Sequence, residues 1–206
     1  MGRKRYGAAA TLARQAGALF GGDSRLPSLF ALTDPDRKAD GLTMARQIPA
    51  GSGLILRTFG RAELAAQAYE IAQIAQDRGL IFLIAAEPEL ALAAGAHGVH
   101  WPNRLLAQAR PWRHQFAVQS ASAHSLDEVR RAKGRVDFLF VSPVFASASP
   151  SANHPIGVHR LARLAQRAAC PVYALGGINA RSINRLKGLD LSGIAAVEGV
   201  LDPAPI

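Results

Sequence analysis

The feature that most constrains the fold is a regular alternation between short apolar runs and longer amphipathic runs along the chain. Eight of the apolar runs have the length and the β-branched or aromatic content of buried strands. This alternation predicts parallel strands joined by helices rather than a β-sandwich. The predicted strands are Ser28–Thr33, Gly53–Thr58, Leu80–Ala85, Gly98–Trp101, Phe116–Ser120, Phe138–Ser142, Val172–Leu175 and Gly193–Val197.

Four of the intervening segments have clear helical patterns. In Ala62–Asp77, apolar residues recur at helical spacing, and Ser125–Lys133 opens with a serine cap followed three residues later by Glu128. The other two predicted helices are Val158–Ala168 and Ala180–Lys187. Eight strands with intervening helices predict a closed (β/α)₈ TIM barrel, because a doubly wound sheet normally has fewer strands and a Gly-rich first turn.

The 206 residues fit a single TIM-barrel domain, 1–206, with the barrel proper at about 28–200 and an N-terminal extension at 1–27. Only nine residues follow Val197, so a full last helix is not expected. The extension contains a predicted extra helix, Ala8–Phe20. We expect this helix to plug the barrel bottom or cover the flank of the eighth strand, unless a second copy in a homodimer covers that flank.

Composition excludes several classes of protein. The chain is 49% hydrophobic and 19% charged, which is too apolar for a disordered chain, and no uncharged apolar run approaches the roughly 18 residues of a membrane span. Cys170 is the only cysteine, so no internal disulfide can form. Arg14 and Gln15 interrupt the apolar part of the N-terminus. We therefore expect no membrane association, no export signal and a cytoplasmic location.

The net charge of +9 permits two interpretations. A basic surface attracts anionic ligands, and it is also found where an Arg-rich surface is simply solvated. A nucleic-acid partner ranks last, because no aromatic stacking platform or recognised binding motif accompanies the charge. A small phosphorylated molecule is the expected partner.

The residues that follow the predicted strands should form the site, since TIM barrels carry their reacting groups at the carboxyl ends of the strands. Gly176 and Gly177 end the seventh strand and precede a helix start, where backbone amides can approach a phosphate. A tight turn that needs positive φ is the alternative explanation.

Two charged or titratable residues stand out among these positions. His124 follows the fifth strand and can act as a general acid or base or as a hydrogen-bond donor, unless it only bonds its own helix terminus. Arg57 at the end of the second strand would need an anion beside it. His100 also ends a strand, where histidines often satisfy only backbone groups.

Hydroxyl groups complete the predicted site. Ser122 follows the predicted fifth strand, and Ser147 and Ser149 lie in a segment of small residues, 146–153, which suits either a lid or a flexible loop. No Cys, His, Asp or Glu cluster has metal-ligand spacing, so no metal and no cofactor are expected.

Several motifs also carry a family resemblance. They are Leu29–Asp34, Leu56-Arg57, Glu89–Leu92, Gly95-Ala96 with Gly98-Val99-His100, Ser122-Ala123-His124-Ser125, Ser142–Phe145 and Pro171–Ile178. In order and spacing they resemble the thiamine phosphate synthase and thiazole tautomerase superfamily, over about Leu29 to Val200. The resemblance implies a (β/α)₈ barrel that binds a thiazole phosphate at the Gly-Gly turn and at the end of the eighth strand.

The resemblance fails where the synthase handles pyrophosphate. That reaction releases pyrophosphate and needs magnesium carboxylates and lysines to neutralise it. At the corresponding positions this sequence has Ile55, Arg57 and Phe59, then Ala85, Ala86 and Leu105, then Ser147, Ser149 and Pro150. Losing the carboxylates and lysines removes several kcal/mol of transition-state stabilisation, or about a thousandfold in rate.

The resemblance implies that the tautomerase branch needs fewer charged residues than the synthase. The resemblance implies that it shifts a proton on a thiazole carboxylate phosphate without a metal, through a histidine at the position of His124. Glu198 counts against it, because a carboxylate within about 4–6 Å of a phosphate repels it. The leading hypothesis is a thiazole-phosphate barrel with tautomerase-like activity. A synthase with a rebuilt pyrophosphate site and a non-catalytic ligand-binding barrel remain the alternatives.

Overall fold

The eight predicted strands form a closed parallel barrel in the computed structural model, which describes residues 7–21, 25–34, 36, 40–147 and 154–201. Each strand pairs with the next, and β8 pairs with β1 to close the barrel. The strands are β1 Leu29–Leu32, β2 Gly53–Leu56, β3 Ile81–Ala85, β4 Gly98–Trp101, β5 Val118–Ala123, β6 Phe138–Val141, β7 Val172–Leu175 and β8 Gly193–Ala196. The predicted fold class is therefore confirmed.

Helices surround this barrel. The α-helices are α1 Gly7–Phe20, α2 Gly41–Gln47, α3 Ala62–Ala65, α4 Ala68–Arg78, α5 Pro88–Ala94, α6 Leu126–Ala132 and α7 Gly157–Arg167. Three 3₁₀ helices, Asn103–Trp112, Ser182–Leu186 and Glu198–Val200, follow β4, β7 and β8. Among the described residues, none of these helices combines the length and the apolar character that crossing a membrane requires.

The barrel interior is filled by aromatic side chains. Phe30, Phe138, Phe140 and Tyr173 are fully buried, with ring centroids 5.1–5.6 Å apart. The Tyr173 hydroxyl donates to the carbonyl oxygen of Pro27 at 2.8 Å, so its polar end is satisfied. These rings fill the barrel centre, so the interior is a packed core and not a channel.

Helix α1 takes the place of a final barrel helix. It packs against β1, β8 and the 3₁₀ helices that follow β7 and β8, and it buries Ala9, Leu12 and Ala16 completely. Gln15 Nε2 donates to the carbonyl oxygen of Ala180 at 3.2 Å. The helix thus covers the β8–β1 flank, which is the second of the placements expected for it.

Two of the predicted helices differ from the observed ones. The predicted helix Ala62–Asp77 is divided into α3 and α4, because the Gln67 amide bonds the carbonyl of Leu64 at 3.2 Å and tightens the chain between them. The segment predicted as helix Ala180–Lys187 forms only a 3₁₀ helix, Ser182–Leu186. Its first backbone donors are taken by the side chain of Asn179, which bonds the amide of Ser182 at 3.0 Å.

Candidate functional site at the barrel mouth

A cavity of about 920 Å³ opens at the carboxyl ends of the strands. Every strand end contributes to its wall, as the topology of a closed parallel barrel requires. Of the residues predicted as site residues, those in its wall are Arg57, Ser122, His124, Ser147, Gly176 and Gly177. Ser149 lies outside the described residues. The structure thus brings the described candidates together, and their roles remain predictions.

His124 is held at the mouth by hydrogen bonds of both its backbone amide and its ring. It follows β5 directly, and the hydroxyl of Ser125 caps α6 by accepting from the amide of Glu128 at 3.3 Å. The His124 amide donates to the Glu128 carboxylate at 2.5 Å, and ring Nδ1 lies 2.7 Å from the carbonyl oxygen of Ser142. A carbonyl only accepts, so Nδ1 carries the proton of the neutral ring and Nε2 can take one up. The ring thus bonds the backbone that follows β6, and its role in chemistry stays a prediction.

Arg57 is anchored by strand β1. Its Nε donates to the carbonyl oxygen of Thr33 at 2.6 Å, and its Nη2 pairs with the carboxylate of Asp34 at 3.2 Å. Its backbone amide also donates to Thr33 Oγ1 at 2.8 Å. The predicted anionic neighbour of Arg57 thus includes a carboxylate of the chain itself. A ligand anion at this point would share the guanidinium with Asp34.

His100, for which a backbone role was the favoured expectation, lies in the cavity wall. It is buried in the cavity wall, with Nδ1 at 2.9 Å from Ser120 Oγ and Nε2 at 3.0 Å from Ser122 Oγ. Burial, followed by the charge of Arg57, lowers the pKa of His100 to about 3, so the ring is neutral near pH 7. His100 therefore orients the hydroxyl of Ser122. Its position at a strand end was the signal that pointed to it.

The conformation and the packing of the turn at Gly176 and Gly177 both require glycine. Gly176 and Gly177 have φ angles of 99° and 66°, and a Cβ on Gly177 would lie 2.4 Å from the carbonyl oxygen of Ala146. The Phe145 amide donates to the carbonyl of Gly176 at 3.0 Å. Both explanations offered for this turn thus remain open, since it is tight and also lines the cavity beside Glu198.

An eight-stranded parallel barrel with a cavity at the carboxyl ends of its strands defines a TIM-barrel protein. The family model for thiamine monophosphate synthase (TMP-TENI) matches residues 31–200. The chain belongs to this family.

Two curated relatives show the range of the similarity. A putative thiamine-phosphate synthase 2 of Aquifex aeolicus is 29% identical over 188 residues, covering 86% of this chain and 99% of that protein. A thiamine-phosphate synthase of Synechococcus is 29% identical over 189 residues, covering 85% of this chain and 54% of that protein. The chain thus spans about half the length of the second relative.

A solved structure shares the fold. Thiamine phosphate pyrophosphorylase from Pyrococcus furiosus superposes with a TM-score of 0.70 at 21% identity, covering 82% of this chain and 85% of that one. At this level of identity the similarity concerns the architecture.

The residues at the implied magnesium site do not fit a metal ion. Ala85 and Ala86 lie at the end of β3, and Leu105 lies in the 3₁₀ helix that follows β4. They line the cavity with methyl and isobutyl groups. Magnesium requires oxygen ligands, which these side chains lack. Within the described ranges, no group of three His, Cys, Asp or Glu residues could hold a metal ion.

Pyrophosphate binding should therefore be independent of magnesium. We expect a calorimetric titration to give an affinity for pyrophosphate that changes by less than about twofold when magnesium is added, because Ala85, Ala86 and Leu105 offer no oxygen ligand at the implied metal positions. Tight binding that appears only with magnesium would show that other residues rebuild the site.

Proposed function

We propose that this barrel binds a thiazole-type phosphate at its mouth and that His124 moves a proton on it, as in a thiazole tautomerase. The observation that carries the proposal is the hydrogen bond from His124 Nδ1 to the carbonyl of Ser142 at 2.7 Å, which leaves Nε2 as the proton-accepting nitrogen of a residue in the cavity wall. Tautomerisation removes a proton from one ring position and returns one to another, so it needs no metal and no co-reactant.

The phosphate is proposed to bind on the opposite wall from β3 and β4. Gly176, Gly177 and Ser147 lie there, and Arg57 and Ser122 complete the polar groups. The hydrogen bond between His100 Nε2 and Ser122 Oγ fixes the hydroxyl, which reduces the entropy lost when the hydroxyl binds a ligand. Ser149 is kept as a proposed phosphate ligand from the sequence.

A second candidate function is thiamine phosphate synthase, which the names of the curated relatives favour. It would require a pyrophosphate site rebuilt without the metal carboxylates, for example around Arg57 and Arg104, which both line the cavity. A ligand-binding barrel without turnover is the remaining alternative.

Thermal unfolding with candidate ligands separates these functions. A ligand that binds only the folded state raises the melting temperature by mass action. We expect thiazole monophosphates, with and without a ring carboxylate, to raise it, and the pyrimidine pyrophosphate to have little effect. The reverse pattern would favour the synthase, and a shift without conversion of the carboxylate compound would favour a non-catalytic barrel.

Glu198 should weaken phosphate binding. This exposed carboxylate begins the last 3₁₀ helix in the cavity wall, beside the glycine turn. Because like charges about 5 Å apart repel by about 1 kcal/mol or more, Glu198→Gln should bind a thiazole monophosphate about fivefold to tenfold more tightly. Calorimetry measures the change, with Glu89→Gln on the exposed face of α5 as the control. Weaker binding by Glu198→Gln would mean that the carboxylate contacts the ligand favourably.

A further inference from the structure

The cavity has an apolar sector that the proposed reaction does not use. Its wall contains Phe59 after β2, Ala85 and Ala86 at the end of β3, and Pro102 and Leu105 after β4. Strand β3 pairs with both β2 and β4, so these residues share one side of the mouth. We call the five residues the apolar sector, and we propose that it binds an uncharged aromatic group of the ligand in place of a metal-bound pyrophosphate.

Two of the three charged groups next to the apolar sector bond other residues of the chain. Arg57 pairs with Asp34, and the carboxylate of Glu87 accepts a hydrogen bond from the hydroxyl of Thr58. Arg104 is exposed at the rim. A highly charged group such as pyrophosphate would lie against methyl and ring carbons here, whereas an uncharged ring would remove those carbons from water.

A strained backbone conformation accompanies the exposed ring of Phe59 at the rim of the cavity. Phe59 and Ala86 have φ angles of 53° and 65°, a region that costs a residue with a Cβ about 1 kcal/mol or more. The Ala86 amide donates to the carbonyl of His100 at 2.9 Å, which fixes the strained turn. Phe59 is 59% exposed, with the guanidinium of Arg57 at 5.2 Å from its ring centroid. A ring so held is available for stacking on a ligand.

The size of the cavity agrees with a ligand larger than a single-ring monophosphate. Ligand cavities of about 300–1,000 Å³ hold drug-sized molecules, and this one measures about 920 Å³. A single-ring monophosphate would leave much of it filled with water. The inference deepens the proposed function: a phosphate end near β6–β8, the ring beside His124, and an uncharged aromatic group on the apolar sector.

The test compares a thiazole monophosphate with the same compound carrying a benzyl group on a ring carbon. We expect calorimetry to show about tenfold tighter binding of the benzyl compound, the gain from burying part of one ring. Leu105→Asp should remove that gain, and so should Phe59→Ala. Leu92→Asp, on the exposed face of α5 and outside the cavity wall, is the matched control and should keep it.

The outcomes separate this inference from the proposed function. Equal binding of the two compounds, or a gain that survives both Leu105→Asp and Phe59→Ala, would overturn the apolar sector. If neither phosphate binds, benzyl alcohol tests the sector alone: ligand-observed NMR should detect its binding to the parent and to Leu92→Asp, and a loss in Leu105→Asp. In that case the sector stands and the proposed function fails. No binding of benzyl alcohol would overturn both.

Discussion

His124→Ala should lower turnover of a thiazole carboxylate phosphate by about a hundredfold to ten-thousandfold, the usual loss when a general acid or base is removed. Binding of the phosphate should be nearly unchanged, since the phosphate groups are proposed to contact other residues. The expected result is therefore a fall in kcat with little change in KM when chemistry limits the rate. Steady-state kinetics of the parent and the variant measure both quantities.

Two further variants make this result specific. His124→Asn keeps an amide that can donate to the carbonyl of Ser142 in place of Nδ1 but cannot transfer a proton, so it should be as inactive as the alanine variant. His159→Ala removes an exposed histidine of α7 outside the cavity wall and should leave turnover unchanged. If His124→Ala turns over as fast as the parent, His124 has no part in the chemistry.

Gly98→Ala should lower the free energy of unfolding by about 3 kcal/mol or more, or leave no folded protein. Gly98 begins β4 and pairs with Val118 of β5 and Leu83 of β3. A Cβ there would lie 1.6 Å from the carbonyl oxygen of Val118, so β4 and β5 would have to separate. Because a closed barrel has no free edge, that displacement spreads to the neighbouring strands. Urea unfolding measures the loss.

Gly17→Ala is the control for this effect. Gly17 lies in α1, and the nearest atom to an added Cβ is Ser28 Oγ at 3.8 Å, an ordinary contact. Alanine has the higher helix propensity, so this variant should raise the free energy of unfolding by about 0.5–1 kcal/mol. If Gly98→Ala unfolds at the parent's urea concentration, the register of β4 and β5 described above is wrong.

The strands were predictable because each is an apolar run bounded by polar or turn residues. Gly98–Trp101 and Val172–Leu175 coincide with the observed strands, since β-branched and aromatic residues define them locally. The positions of the site residues followed from the same pattern, because a parallel barrel gathers all its strand ends at one mouth. The sequence itself also shows that Ala85 and Leu105 are apolar residues without oxygen ligands for a metal ion.

Contacts between distant segments were not predictable. The pairing of Arg57 with Asp34 depends on the register of β1 and β2, and the bonds of His100 to Ser120 and Ser122 depend on that of β4 and β5. Periodicity within a segment carries no information on register between strands. The α3–α4 break depends on one tightened turn that helical spacing does not reveal.

The placement of α1 also bears on how the chain is synthesised. This helix leads the barrel in sequence, yet half of the flank it covers belongs to β8, which lies more than 170 residues later. During synthesis on the ribosome, Ala9, Leu12 and Ala16 therefore cannot make their contacts with β8 until translation is nearly complete. A circularly permuted gene that starts at β1 would place α1 directly after β8. The helix and this strand would then leave the ribosome within a few residues of each other.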